Sequence, residues 1–145
     1  MIKVKIIDKI KFPDLIFIDE LKEIADTIFI PILQENINNE VDIQERPYPP
    51  LAVSTVKAKA KKGQSLKVLT ATGRLRSSFT SYQRGKNEVI ITVIGDRYQI
   101  GDYLQNQGIK SKKFGKRFFN FFGVSTRMEK AALKLMERKI AEALR

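Results

Sequence analysis

Leu75-Arg76-Ser77-Ser78-Phe79-Thr80-Ser81-Tyr82, then Gly85-Lys86-Asn87, then Val89-Ile90-Ile91-Thr92-Val93-Ile94 is the stretch on which the fold turns. In its first part Leu75, Ser77, Phe79 and Ser81 alternate with Arg76, Ser78, Thr80 and Tyr82, the period of two of a strand with two different faces. A short link rich in turn residues joins it to a second run, and the pair reads as a β-hairpin. The second run is apolar on both faces. It is therefore expected to be the central strand of an antiparallel sheet with a helix packed over it.

Outward from the hairpin, Ile2, Val4 and Ile6 alternate with Lys3 and Lys5, as in a short edge strand. Beyond Pro13-Asp14 the spacing becomes helical: Phe17, Leu21, Ile24, Ile28 and Ile32 stack on one face. Pro31 lies inside that pattern and predicts a kink or an early stop, because it has no N–H to give Thr27 and crowds the preceding turn. Asn36, Asn38 and Asn39 mark a fraying end. At the other terminus Thr126 and Glu129 have the spacing of a capping box, and Ala132, Leu133, Met136, Ile140, Ala143 and Leu144 share a face of the helix it opens. Arg127, Lys130, Lys134 and Arg138 are expected in water. Between hairpin and final helix, Arg97 to Gln107 fits a short helix stopped by Gly108, and Lys110 to Lys113 reads as a solvated loop. The expected fold is α+β: one domain over residues 1–145, with a small antiparallel sheet packed by a long N-terminal helix and a C-terminal helix.

The charge is concentrated. Arg46, Lys57, Lys59, Lys61, Lys62, Lys67, Arg74, Arg76, Arg84 and Lys86 follow one another with no acidic residue until Glu88. The chain has 27 basic and 16 acidic residues and a net charge of +11; without those ten basic residues, 17 face 16. Arg46-Pro47-Tyr48-Pro49-Pro50 is a stiff extended connector. Ser54 is positioned to cap a helix through Lys62 that ends at Gly63. With only Leu51, Val53 and Val56 as sizeable apolar groups, residues 44–70 are expected to form a mobile basic loop that projects from the domain and orders on a complementary surface.

Composition narrows the chemistry. At 145 residues, 43% hydrophobic and 30% charged, the chain suits one soluble globular core. It has no Cys, hence no disulfide or thiolate metal site, and no His, the usual proton shuttle near neutral pH. Charged residues interrupt Met1 to Phe12, which therefore does not resemble a signal peptide, and no apolar run approaches a membrane span. No cofactor, metal or membrane partner is expected.

The proline-rich connector, Leu51-Ala52-Val53-Ser54-Thr55-Val56-Lys57 with its following lysines, Thr72-Gly73-Arg74-Leu75-Arg76-Ser77-Ser78-Phe79, and Leu104-Gln105-x-Gln107-Gly108 occur in that order. Val93-Ile94-Gly95 and Lys116-Arg117-Phe118-Phe119 leading into Phe122-Gly123-Val124-Ser125 complete the set. The combination, from about Pro49 to Ser125, resembles the virion morphogenesis, or tail completion, family of tailed bacteriophages and prophages. The aromatic run Phe118 to Phe122 is longer than the family's usual one, and Leu104 stands where relatives often carry His. The resemblance implies a structural protein of the head-tail junction or tail terminus, acting as a ring such as a hexamer, without catalytic residues. Its partners would be copies of itself and neighbouring head-tail connector or tail-tube proteins. It would be found in the virion, and in the host bacterial cytoplasm during assembly.

Within the most specific string, Gly73 reads as a position needing positive φ or close chain approach, and Thr72 as a stiffener of the loop entering the strand. On strand geometry Leu75, Ser77 and Phe79 point one way, and Arg74 and Arg76 project together on the other face. Those arginines are either solvated, with Glu88 across the hairpin as a pairing partner, or aimed at carboxylates or phosphate on a partner. Lys57, Lys59, Lys61 and Lys62 carry the same two readings. The aromatics from Phe114 to Phe122 are read as core first and interface second.

Three functions compete. The first is the ring-forming virion-assembly protein. The second is a nonspecific nucleic-acid-binding protein using the 46–86 segment, which suits a sequence pI of about 9.9 but lacks a nucleic-acid-binding motif or a stacking platform of aromatics. That leaves nonspecific contact with packaged DNA open within the first reading too. The third is a metal-dependent nuclease built on Glu88, Asp96 and Asp102; a simpler account has Asp96 capping a helix and Asp102 on its wet side. The chain is not expected to be an enzyme.

Overall fold

A computed structural model describes residues 3–5, 18–70, 73–85, 88–95, 105, 109–111, 115–117 and 119–145. In chain order its elements are β1 (Lys3–Lys5), α1 (Ile18–Ile24), a π-helical turn (Ala25–Phe29), α2 (Ile30–Asn38), α3 (Val53–Lys61), α4 (Arg74–Ser77), β2 (Phe79–Arg84), β3 (Glu88–Val93), β4 (Ile109–Ser111), β5 (Gly115–Arg117) and α5 (Thr126–Ala143). The class is α+β, with an N-terminal and a C-terminal helix and an antiparallel sheet.

β3 is the middle strand, as its two-faced apolar character predicts: the order is β1-β3-β2, both pairings antiparallel. Val89, Ile90, Ile91, Thr92 and Val93 are all buried. The hairpin register sets Phe79 opposite Val93 and Arg84 opposite Glu88, where the two side chains form an ion pair at 3.2 Å. β1 lies on the open edge of β3, with Val4 opposite Ile91. A second pair, β4 with β5, includes Lys110 and Ser111, so those residues are strand and not the expected loop. The helix expected over Arg97 to Gln107 lies outside the described residues except for Gln105.

The first strand of the hairpin begins later than its alternation predicts. Arg74 to Ser77 form one helical turn, and the strand starts only at Phe79. Local bonds decide this: Ser77 N–H and Ser77 Oγ both donate to Gly73 O, and Ser78 Oγ donates to Arg74 O. Short hydroxyl side chains that bond nearby carbonyls compete with the sheet ladder, and here they win over alternation.

Pro31 ends nothing. The chain passes through the π turn, where Ile30 N–H bonds back to Ala25 O, and continues helically to Asn38. The π turn takes up the backbone mismatch just before the proline, which sits in the first turn of α2 where its missing N–H matters least. The extra residue also shifts the buried stripe to Leu21, Ile24, Ala25, Phe29, Ile32, Leu33 and Ile37, leaving Ile28 half-buried. Asn36, expected in a fraying end, is buried.

α5 opens one residue earlier than its capping-box pattern suggests: Ser125, not Thr126, accepts from Met128 N–H at 3.2 Å. Its buried stripe is Met128, Ala132, Leu135 and Met136, whereas Leu133 is 42% exposed and Leu144 81%. Phe119, Phe121 and Phe122 are buried, in agreement with the core reading; Phe79 stacks on Phe122 with centroids 5.9 Å apart and lies 6.3 Å from Phe121. Phe114 and Phe118 lie outside the described residues. Polar ties fix the layers: Lys22 bonds Asp26 at 2.7 Å and Ser81 at 2.6 Å, joining α1 to β2, and Lys139 pairs with Glu23, joining α5 to α1. Among the described residues no helix is long and apolar enough to cross a membrane.

Candidate interaction surface

Residues 44–70 leave the core and return to it through a small number of bonds, and these determine which cations face solvent. α2 ends in a Schellman motif: Val41 N–H bonds Asn36 O, and Glu40 N–H bonds Ile37 O. The left-handed position that glycine normally fills is held by Glu40, at φ 57°. Its carboxylate accepts Val68 N–H at 2.8 Å, fastening the far end of the basic segment to α2. The near end is fastened at Asp42, whose carboxylate accepts the Gln44 and Arg46 N–H groups and the Arg46 guanidinium.

α3 lies between these fastenings. It starts at Val53 behind Ala52, without a side-chain cap; Ser54, expected to cap it, is already inside the helix. Its C-terminal end follows the predicted rule, with Gly63 at φ 65°, Gly63 N–H on Ala60 O and Gln64 N–H on Lys59 O, a second Schellman motif. No residue of α3 is buried. A helix this short is marginal in water, so its caps and one side-chain tether carry much of the order. That tether is Lys59: Nζ donates to Lys67 O at 2.7 Å and to Thr70 O at 3.1 Å. Burial lowers the Lys59 pKa below its ordinary value, with Glu40 partly opposing the shift.

The sequence-predicted site residues therefore separate into two sets. Lys59 serves the fold. Arg76 donates to Asn38 Oδ1 at 3.1 Å, and Lys67 donates to Asn38 O at 3.1 Å, so both place positive charge at the C-terminal end of α2, where the helix dipole and its open carbonyls favour it. Gln34 Nε2 bonds Arg76 O at 3.1 Å and holds α4 in place. Arg74 and Arg76, two residues apart on a helical turn, do not project together as strand geometry predicts, and Glu88 pairs with Arg84 instead. The second set, Lys57, Lys61, Lys62 and Arg74, is exposed and has no ion-pair partner among the described residues. Lys57 and Lys61 are four apart and share a helix face, with Lys59 on the opposite side.

Gly73 has φ 80° and, among the described residues, nothing within 4 Å of where a Cβ would sit, so positive φ, not close approach, is what it supplies. Leu75 and Phe79 are buried in the core. Thr72 lies outside the described residues, as do Asp96 and Asp102 of the nuclease alternative. Among the described residues no group of three or more acidic side chains is placed to hold a metal.

Beside α3 an open groove of about 470 Å³ runs along Val41, Pro47, Tyr48, Leu51, Val56 and Leu66. Tyr48 packs on Phe119 at 5.5 Å; its hydroxyl is buried and has no hydrogen-bond partner among the described residues. Burial first, and the nearby Asp42 carboxylate second, hold that phenol protonated well above its ordinary pKa. Val53 is 71% exposed and Leu66 53%.

Three roles escape sequence reading, although Gln105 stands in the Leu104-Gln105-x-Gln107-Gly108 string. Glu40 looks like a surface acid, and only the left-handed cap reveals it as a hook. Gln105 receives Phe121 N–H and Phe122 N–H on Oε1 at 3.0 Å each and donates to Phe122 O at 2.7 Å, acting as a backbone partner for the aromatic segment. Arg127 bridges Glu35 at 2.7 Å and Glu45 at 3.1 Å, and those two bonds raise its pKa. Comparison with protein-family models, with curated proteins and with solved structures yields no match.

Proposed function

We propose that the chain is a structural virion-assembly protein of a tailed phage or prophage, which completes the tail or joins head to tail as an oligomeric ring. The ordered strings from the connector to Ser125 suggest the family, and one observation carries the reading: α3 is a formed helix with no buried residue. A segment tied down by Glu40, Asp42 and Lys59 while its apolar and cationic groups face outward is suited to contact with another macromolecule. The central string supports the same division of labour. Leu75 and Phe79 anchor it in the core, and Arg74 stays exposed beside it.

The test is to label the protein with an epitope tag in the phage or prophage that encodes it and to follow the tag through virion purification. The tag is expected to co-purify with particles, to map by immunogold to one end of the tail, and to be required for joined, infectious virions. Failure to associate with any virion particle refutes the reading. Electron microscopy and solution mass then report the ring; a ring that forms only on the tail leaves a monomer in solution.

A further inference from the structure

We infer that α3 and the groove beside it form a docking site for an acidic protein segment that carries an aliphatic anchor. Two features within one surface support this. The groove is lined mainly by aliphatic and proline side chains, including Val41, Pro47, Leu51, Val56 and Leu66, together with Asn39 and with Glu40, whose carboxylate is engaged by Val68 N–H. Lys57 and Lys61 stand on the helix that walls it and Lys62 at its C-terminal cap, in a stretch with no acidic residue between Arg46 and Glu88. Leu66, in the groove lining, is 53% exposed, a large apolar group left in water that an anchor would cover.

Charge complementarity selects the occupant. A second copy of the chain would bring its own excess of +11, a cation-rich partner for a face whose exposed charges are lysines. Nucleic acid satisfies the lysines but not the groove. Bases bind such proteins by stacking on open aromatic faces, whereas Tyr48 is packed against Phe119. A glutamate- or aspartate-rich segment with a leucine-like side chain satisfies both halves: carboxylates on the lysines and the anchor in the groove. This deepens the assembly reading by giving one partner a chemistry, and assigns this face to a neighbour other than another copy.

The test uses the full chain and a short fluorescein-labelled peptide of glutamates containing two leucines, with a serine-for-leucine control peptide and an oligothymidylate of equal charge. Fluorescence anisotropy is expected to show the leucine peptide binding about tenfold more tightly than the control. Leu66→Ser should remove most of that advantage, and because the side chain is exposed the circular dichroism should not change. Lys57→Gln and Lys61→Gln should weaken both peptides about two- to fivefold each. The oligothymidylate should bind no better than the control peptide. Equal or tighter oligothymidylate binding, indifference of the leucine peptide to Leu66→Ser, absence of peptide binding, or self-association that depends on Leu66 would each overturn the inference. None of these bears on whether the protein co-purifies with virions, so the two readings fail separately.

Discussion

Glu40 is the residue at which backbone strain and a tertiary bond oppose each other most clearly. At φ 57° it occupies a left-handed position, which costs a non-glycine residue about 1–2 kcal/mol, and it offsets that cost by accepting Val68 N–H at 2.8 Å. A hydrogen bond to a charged acceptor contributes about 1.5–3 kcal/mol; this one is partly exposed, which places it near the lower end. Glu40→Ala loses the bond and keeps the strain, so it should destabilise by about 1.5 kcal/mol. Glu40→Gly loses the bond but relieves the backbone, less the extra freedom glycine gives the unfolded chain, about 0.4–1 kcal/mol; the net loss should be about 0.5–1 kcal/mol. Urea midpoints at constant m-value measure the difference, and amide exchange at Val68 should accelerate in both variants because the tether is gone. Equal midpoints for alanine and glycine would refute the strain argument. Unchanged exchange at Val68 would refute the tether.

Further expectations follow from the same geometry. Gly73→Ala should destabilise by about 1 kcal/mol from its left-handed backbone alone, since among the described residues nothing lies within 4 Å of the new Cβ; a loss several times larger in chemical denaturation would mean close packing that the described residues do not contain. Tyr48 is held protonated in the folded state while the unfolded phenol ionises near its ordinary value, so above about pH 10 the unfolded chain binds fewer protons and stability should fall, by about 1.4 kcal/mol per pH unit at most from this group. Tyr48→Phe should remove that slope and, by deleting a hydroxyl unpartnered among the described residues, leave neutral-pH stability unchanged or slightly raised; a persistent slope in denaturation at alkaline pH would assign it elsewhere. Arg127→Ala should cost about 0.5–1 kcal/mol, less in high salt, with a double-mutant cycle to Glu35→Gln showing coupling; additive losses would mean the bridge does not contribute. Phe121→Ala should destabilise by about 3–5 kcal/mol and Leu144→Ala by less than about 0.5 kcal/mol, a contrast that thermal or urea unfolding reads directly.

Elements whose signal is local and repeated are legible in the chain before it folds. Val89 to Val93 is apolar on both faces, so its place as the central strand follows from composition alone, and the alternation at Lys3 to Lys5 suffices for an edge strand. The glycine-ended helix at Gly63 and the burial of Phe119, Phe121 and Phe122 were legible for the same reason. The concentration of cations between Arg46 and Lys86 was legible as well, although not its division. Tertiary structure alone decided which of those cations serve the fold: Lys59, Lys67 and Arg76 meet carbonyls and Asn38 across sequence gaps of 8 to 38 residues, and no local pattern encodes such meetings. It decided the strand boundary too, where hydroxyl bonds at Ser77 and Ser78 convert an alternating run into a helical turn. It shifted the buried stripe of the N-terminal helix through a π turn that periodicity, which assumes a constant rise and twist, does not contain. The basic segment is thus identified by sequence as a unit, and only the bonds made by Glu40, Asn38 and the Lys67 and Thr70 carbonyls separate its structural cations from those left facing outward.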